Sequence, residues 1–211
     1  MGYEIKLTPE ELFFLGEAMN ADHLDYSYIA MMRDIEKNYA QISDKNFREL
    51  ANKRIIRKKL RGDISIVPEV EALLKNVFEG SRSAALEVYH QADEVTREEY
   101  RFHFGNDSIT EVIVENGYLI VKACTADNIS AIIRDNTDKV YAGGKQLSAI
   151  VPDDIQTLIS AVSSDLGAGG REKEVYEIGN ALYTADDGNN IRSLTSSEAF
   201  DLLDKVMRGE E

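Results

Sequence analysis

Few side chains in this sequence have the chemistry of a catalytic or metal-binding centre. The chain has three histidines, His23, His90 and His103, and one cysteine, Cys124, in 211 residues. Histidine is the side chain that most often serves as a metal ligand or as a general acid or base near neutral pH. His90 and His103 fall on two neighbouring predicted strands and could face each other, but no cysteine or further histidine supplies a third and fourth ligand. We predict two half-buried histidines on a sheet face and no bound metal.

Cys124 and the glycine-rich segments do not form a catalytic motif either. A nucleophilic cysteine needs a histidine base and an orienting group, whereas Cys124 follows an apolar strand and fits a small buried hydrophobe. No nucleophile elbow, zinc-protease helix, P-loop or dinucleotide-binding glycine motif is present. Asp186 to Asn190 has the oxygen ligands of a calcium loop without the required Glu, and a hairpin turn explains it. We therefore predict a protein that is not an enzyme and that has no cofactor.

The basic residues of this acidic chain are concentrated in one stretch. The net charge is −14, yet residues 48–61 contain seven bases and one acid, so that this window is +6 and the remainder −20. Together with the predicted helix, short hairpin and helix over residues 43–80, the basic stretch resembles a winged-helix module, and a nucleic-acid-binding regulator is the alternative function. The surrounding acids and the lack of interleaved aromatic residues argue against nucleic acid. The other interpretation is docking on an acidic partner or on the protein's own acidic surface.

The first third of the chain carries helix signals that would position these residues. Thr8-Pro9-Glu10-Glu11 combines a capping box with proline at the first helical position. Further helices are predicted from about Asp25 to Tyr39 and from near Ser43-Asp44. A small hairpin with an Arg61-Gly62-Asp63 turn follows, and Pro68 opens an amphipathic helix that ends at Gly80.

A run of strands with short links follows and predicts an antiparallel meander. The Asn116-Gly117 pair is a strong hairpin signal. Helices are then predicted from about Asp127 to Arg134, from Pro152 to Leu166 and from Thr195 to the end. The predicted strands of the meander are Ala84–Gln91, Arg97–Phe104, Ile109–Val114 and Tyr118–Ala123.

Four short matches, in the same order, indicate an internal repeat. We predict an α+β fold of two pseudo-symmetric halves that share a central antiparallel sheet flanked by helices. The single domain 1–211 would comprise an N-terminal helical segment 1–65, a first pseudo-repeat 66–136 and a second, shorter one 149–206. The matches are Ile66-Val67-Pro68-Glu69 with Ile150-Val151-Pro152-Asp153, Glu87-Val88-Tyr89 with Glu174-Val175-Tyr176, Asn116-Gly117 with Asp187-Gly188, and Thr125 with Thr195.

This layout resembles the EspG-like chaperones of type VII (ESX) secretion systems, and in particular uncharacterised relatives from low-GC Gram-positive bacteria. Lys6-Leu7-Thr8-Pro9-Glu10-Glu11-Leu12 is similar to the opening Leu-Thr-x-x-Glu helix of that family. Leu50-Ala51-Asn52-Lys53-Arg54-Ile55-Ile56 is similar to its Leu-x-x-Arg-Gly-Leu segment, with Ile55 in place of glycine. A Gly-Asp turn, a Val-Pro pair and a helix follow in the same order.

The resemblance implies a cytoplasmic chaperone that binds a helical substrate of the WXG or LXG kind and keeps it soluble before export. In the family a loop of the central sheet and C-terminal helices bind the substrate tip. The corresponding loop here implies Phe104, Asn106 and Asp107 as partner-binding residues. Phe14, Phe102 and Phe104 lie near element ends and could supply apolar anchors, or all three could be core. No apolar run of about 18 residues and no secretory signal are visible, so we expect no membrane partner.

Overall fold

The computed structural model describes residues 3–21, 26–32, 39–58, 64–91, 95–138, 144–165, 170–186 and 190–210, without the side chains of 26 and 39–42. The chain divides into two compact units, and each is built from two segments. Unit 1 comprises residues 1–81 and 103–124, and unit 2 comprises residues 82–102 and 125–211. No helix of the described residues is long and apolar enough to cross a bilayer.

Unit 1 contains four helices, a small hairpin and part of the main sheet. Its core joins α1, α3 and α4 to the inner face of β1, β6 and β7, through fully buried residues such as Leu12, Leu50, Leu74, Val112 and Leu119. Its elements are β1 (Glu4–Leu7), α1 (Pro9–Ala18), α2 (Tyr26–Ala30), α3 (Tyr39–Asn52), β2 (Ile56–Lys58), β3 (Ile64–Ile66), α4 (Pro68–Glu79), β6 (Ile109–Glu115) and β7 (Tyr118–Cys124).

Unit 2 contains the longer strands and two helices. β5 begins in this unit, and its last two residues belong to unit 1. Helices α5 and α6 are joined by a polar network in which the Ser130 hydroxyl donates to Asp204 at 2.9 Å and Arg208 bonds both side chains. The elements are β4 (Arg82–Gln91), β5 (Val95–Phe104), α5 (Ala126–Thr137), β8 (Ile155–Asp165), β9 (Arg171–Ile178), β10 (Ala181–Asp186), β11 (Asn190–Leu194) and α6 (Ser196–Arg208).

Among the described residues, the strands of unit 1 hydrogen-bond in the order β1-β7-β6 and those of unit 2 in the order β5-β4-β8-β9-β10-β11, and β2 and β3 form a separate hairpin in unit 1. β4 and β8 pair antiparallel, with Leu86 opposite Ala161. This confirms the predicted α+β fold with a central antiparallel sheet flanked by helices. Four strands followed by a helix occur twice along the chain, first as β4 to α5 and then as β8 to α6.

Capping boxes begin three of the helices where the sequence predicts them. The hydroxyls of Thr8, Thr125 and Thr195 each accept a hydrogen bond from the third residue of the helix, whose side chain accepts one from the threonine N–H. Each capping box gives hydrogen-bond partners to two backbone N–H groups that the start of a helix would otherwise leave without partners. α1 also has Pro9 at its first position, as predicted.

The predicted helix from Pro152 to Leu166 is wrong. Pro152–Asp154 forms a single 3₁₀ turn, and Ile155–Asp165 is strand β8. β8 pairs with β4 along one edge and with β9 along the other. Its two faces both carry apolar side chains, Ile159 and Ala161 on one and Leu158 and Val162 on the other. Apolar residues on both faces of a strand produce spacings that an amphipathic helix also shows. Pro68 does open helix α4, so the match between the two Val-Pro segments does not extend to the structure.

Two further boundaries differ from the prediction, and some predictions fall outside the described residues. α3 begins at Tyr39 rather than near Ser43, and the described part of α2 ends at Ala30. The turns predicted at Arg61-Gly62-Asp63 and Asp187-Gly188 lie outside the described residues. The boundaries predicted for the N-terminal segment and the two repeats stay a prediction.

Candidate partner-binding loop

The loop predicted to bind a partner connects β5 to β6 and lies in unit 1. Phe104 is the last residue of β5, and Ile109 is the first of β6. The Gly105 N–H donates to the Ser108 carbonyl at 2.9 Å and closes the turn. Asn106 and Asp107 are exposed, and Phe104 is half-buried. The loop therefore offers an amide, a carboxylate and part of the Phe104 residue to solvent.

The side chain of Asn76, in α4, hydrogen-bonds to residues at the end of this loop. Its Nδ2 donates to the Ser108 hydroxyl at 2.9 Å and to the Thr110 hydroxyl at 3.1 Å. The Thr110 hydroxyl in turn donates to the Leu73 carbonyl of α4 at 2.9 Å. Asn76 is 7% exposed, and its bond to Thr110 is buried, whereas its bond to the exposed Ser108 is partly buried. A buried amide that lost such partners would cost free energy, and we infer that the network holds the loop in one conformation.

The two glycines near the loop allow this close contact. A Cβ on Gly105 would lie 2.0 Å from the Asn76 Oδ1, far inside van der Waals contact. A Cβ on Gly80, at the end of α4, would lie 2.3 Å from the Asn76 carbonyl oxygen and 3.0 Å from that of Phe104. The Ser81 N–H donates to the same Phe104 carbonyl at 3.2 Å. A hydrogen bond between backbone groups therefore joins the chain just after α4 to the start of the loop.

Asn76 is the residue beside this loop that the sequence reasoning missed. A signal was present, because Asn76 lies three residues after Leu73 on the apolar face of the predicted helix. A polar residue at such a position indicates a buried hydrogen-bond partner. The sequence does not show which group bonds it, because Ser108 and Thr110 lie more than thirty residues away.

The predicted apolar anchors are not equivalent in the structure. Phe14 is 9% exposed and Phe102 is fully buried, so both are core residues. Phe104 alone of the three is partly accessible. An apolar contact at this loop would therefore depend on Phe104, and the other exposed groups of the loop are polar.

The histidines and the cysteine have separate structural surroundings. His103 is buried, and its Nε2 lies 2.8 Å from the Tyr28 hydroxyl. His90 is near the end of β4, and its Nδ1 lies 3.3 Å from the Thr157 hydroxyl. His103 is the second-last residue of β5 and belongs to unit 1, whereas His90 belongs to unit 2. Cys124 is buried, and the described residues contain no group of three or more side chains placed to hold a metal.

Part of the basic stretch has an internal role. Lys53 Nζ lies 2.6 and 2.7 Å from the two carboxylate oxygens of Glu11, which is 2% exposed, and donates to the Lys6 carbonyl at 3.0 Å. Glu11 is also the third residue of α1, and its side chain accepts the hydrogen bond from the Thr8 N–H in the capping box. Lys53 therefore joins the end of α3 to the start of α1. Arg48, Arg54, Arg57 and Lys58 of this stretch are exposed as well.

Comparison with known proteins supports the class of fold. No family model matches the sequence, and no curated protein matches it. Solved structures do match, and they show that the chain has an EspG-like fold. One of them is the Mycobacterium tuberculosis type VII secretion system chaperone EspG5 in complex with a PE25-PPE41 dimer. The superposition has a TM-score of 0.64 at 7% identity, and it covers 98% of this chain and 96% of that chain.

Proposed function

We propose that this protein is a cytoplasmic chaperone or adaptor of a type VII secretion system. It binds a helical substrate protein of the WXG or LXG kind and keeps it soluble before export. It acts by binding alone, without a cofactor, a metal or a reaction. The β5–β6 loop, with Phe104, Asn106 and Asp107, contacts the substrate.

The observation that supports this proposal most strongly is the extent of the structural match. The similarity to EspG5 extends over almost the whole of both chains, helices and sheet together, rather than over one common motif. Fold alone does not determine function, so the proposal also needs a surface of suitable chemistry.

The geometry of the β5–β6 loop provides such a surface. A loop that is already ordered loses little conformational entropy when a partner binds, and this favours affinity. Asn76 and the Gly105–Ser108 bond provide that order. A half-buried Phe104 beside exposed Asn106 and Asp107 fits the end of a helical hairpin, where an apolar side chain is surrounded by polar ones.

Co-expression with helical secretion proteins encoded beside the gene tests the proposal. We expect one of them to be insoluble or self-associated when expressed alone, and to elute with this protein as a soluble complex. Phe104→Ala is expected to weaken the complex while the melting temperature stays close to that of the wild type. If Phe104→Ala lowers the melting temperature by many degrees and leaves the affinity unchanged, Phe104 is core and the site lies elsewhere.

The alternative of a nucleic-acid-binding regulator has one supporting observation. α3, the β2–β3 hairpin and α4 do form the predicted helix, hairpin and helix, and Arg57 and Lys58 of the hairpin are exposed. Lys53 is engaged with Glu11, however, which leaves fewer bases for phosphate contacts. Direct measurement of DNA binding separates this alternative from the chaperone.

A further inference from the structure

Unit 2 has a sheet face that carries tyrosines and carboxylates. Val88, Ile159 and Val175 lie opposite one another on β4, β8 and β9, and all three are buried on one face. Side chains alternate along a strand, so the residues before and after this row point to the opposite face. That second face carries a row of Glu87, Ser160 and Glu174 and a row of Tyr89, Leu158 and Tyr176.

The two Glu-Val-Tyr segments of the sequence therefore flank β8 symmetrically. Each tyrosine hydroxyl donates a hydrogen bond to the glutamate two residues before it, from Tyr89 to Glu87 and from Tyr176 to Glu174. The bond to Glu87 and burial raise the pKa of Tyr89, and burial and the bond to Glu174 raise the pKa of Tyr176. Both pairs thus present a neutral phenol ring beside an acceptor carboxylate.

One of the two pairs already holds a cation. The guanidinium of Arg97 donates to Glu87 Oε1 at 2.9 Å, and its Cζ lies 5.5 Å from the centre of the Tyr89 ring. The same guanidinium lies 2.9 Å from Glu99. Arginine suits this place because its planar guanidinium can stack on an aromatic ring and donate to a carboxylate at once.

The second pair holds no such cation. Across the residues that the structure describes, no lysine or arginine forms an ion pair with Glu174, and both Glu174 and Tyr176 are half-buried. The backbone N–H of Lys145 donates to the hydroxyl of Tyr183, which is opposite Tyr176 and 4% exposed. The segment before β8 thus covers Tyr183 and leaves the neighbouring Tyr176 accessible.

We propose that Tyr176 and Glu174 bind an arginine side chain of the partner protein, in the way that Tyr89 and Glu87 bind Arg97. This inference rests on the proposed function, because it takes the partner to be a helical protein. Charge complementarity supports an arginine-bearing helix as the occupant, since the chain has a net charge of −14 and Glu172 adds a further carboxylate to the same strand face.

Backbone amide shifts in nuclear magnetic resonance spectra test the inference with a defined probe. The probe is a soluble alanine-based helical peptide with one arginine, and its partner peptide has the uncharged isostere citrulline at that position. We expect the arginine peptide to shift the amides of Glu174, Val175 and Tyr176 saturably and to bind about fivefold more tightly than the citrulline peptide. Glu174→Gln should abolish this difference.

Glu172→Gln is the matched control, because it removes the same charge from the same face two residues away. We expect it to keep the preference for arginine. If Glu172→Gln and Glu174→Gln reduce binding equally, the attraction is diffuse and the inference is wrong. It is also wrong if the two peptides bind alike, or if the chain self-associates through Glu174, since a second copy would then occupy the face.

The peptide measurement does not depend on the secretion substrate or on the β5–β6 loop. Failure of the peptide test with an intact substrate complex would reject the arginine site alone. A positive peptide test without any substrate complex would reject the chaperone and keep the site.

Discussion

Replacement of Gly105 by alanine should be harmful only while Asn76 is present. Gly105 does not have a positive φ, so an alanine there meets no backbone strain of its own. Its Cβ would instead lie 2.0 Å from the Asn76 Oδ1 and 2.8 Å from its Cγ. The amide of Asn76 would have to move, and its bonds to Ser108 and Thr110 would break.

The contacts allow the free energies to be estimated. Asn76→Ala removes one buried and one partly buried hydrogen bond, and at about 1 kcal/mol each it should lower the free energy of unfolding by about 2 kcal/mol. Gly105→Ala breaks the same two bonds and adds strain of about 1 kcal/mol, which makes about 3 kcal/mol. In the double variant the obstructing amide is absent, so the loss should stay near 2 kcal/mol. The coupling between the two positions is then about 3 kcal/mol.

Urea denaturation followed by circular dichroism measures these free energies, with hydrogen exchange of the Gly105 amide as a local readout. The control is Gly170→Ala combined with Asn76→Ala, because a Cβ on Gly170 makes only an ordinary contact of 3.4 Å with the Ser163 carbonyl. We expect that control pair to be additive. Additive losses for Asn76→Ala and Gly105→Ala would show that Asn76 does not fix the loop, and the argument for a preordered binding surface would fail.

Three other predictions concern ion pairs, ionisation and DNA. Lys53→Met should lower the free energy of unfolding by about 2 kcal/mol, because it leaves the buried Glu11 carboxylate without its cation, although Lys53 itself is partly exposed. Lys75→Met, which removes an exposed ion pair of 3.9 Å with Glu79, should cost little in the same denaturation experiment. The pKa of Tyr176 in the folded protein lies above its ordinary value of 10.0, so the stability that Tyr176 contributes is complete below pH 10.0 and is lost as the pH rises through the folded pKa. The phenolate absorbance of Tyr176, measured as the spectrum of the wild type minus that of Tyr176→Phe, should appear at lower pH when both proteins also carry Glu174→Gln. An unchanged midpoint would contradict this. Duplex DNA should bind with a dissociation constant weaker than about 10 µM at physiological salt in an anisotropy titration, and submicromolar binding that is lost on changing Arg57 and Lys58 to alanine would favour the regulator.

Local signals in the sequence were sufficient for the starts of α1, α4, α5 and α6 and for most of the sheet. A capping box involves residues only three positions apart, so Thr8, Thr125 and Thr195 could be recognised without knowledge of the fold. The meander was predictable for the same reason, because its turns are short. Strand β8 was not, since its partner β4 is distant in sequence and the apolar residues on both of its faces give it the spacing of a helix.

The candidate site was only partly predictable. The position of the β5–β6 loop followed from the strand boundaries and the resemblance. The hydrogen bonds that hold the loop could not be predicted from the sequence, because Asn76 and Ser108 come together only when α4 packs on the sheet. The exposure of the phenylalanines also depends on tertiary packing, which buries Phe102 and leaves Phe104 partly accessible. The Glu-Val-Tyr repeat was visible in the sequence, but the sheet pairing was needed to show that its two copies flank β8.

The affinity of the full chain for a helical secretion substrate, measured by calorimetry with a charge reversal in the loop, tests the central claim most directly. Asp107→Arg should weaken the complex about thirtyfold, the effect of losing about 2 kcal/mol at an interface centre, with an unchanged melting temperature. Glu115→Arg, an exposed charge reversal at the other end of β6, should leave the affinity as it is. Equal weakening by both variants, or no complex with any helical candidate, would contradict the account.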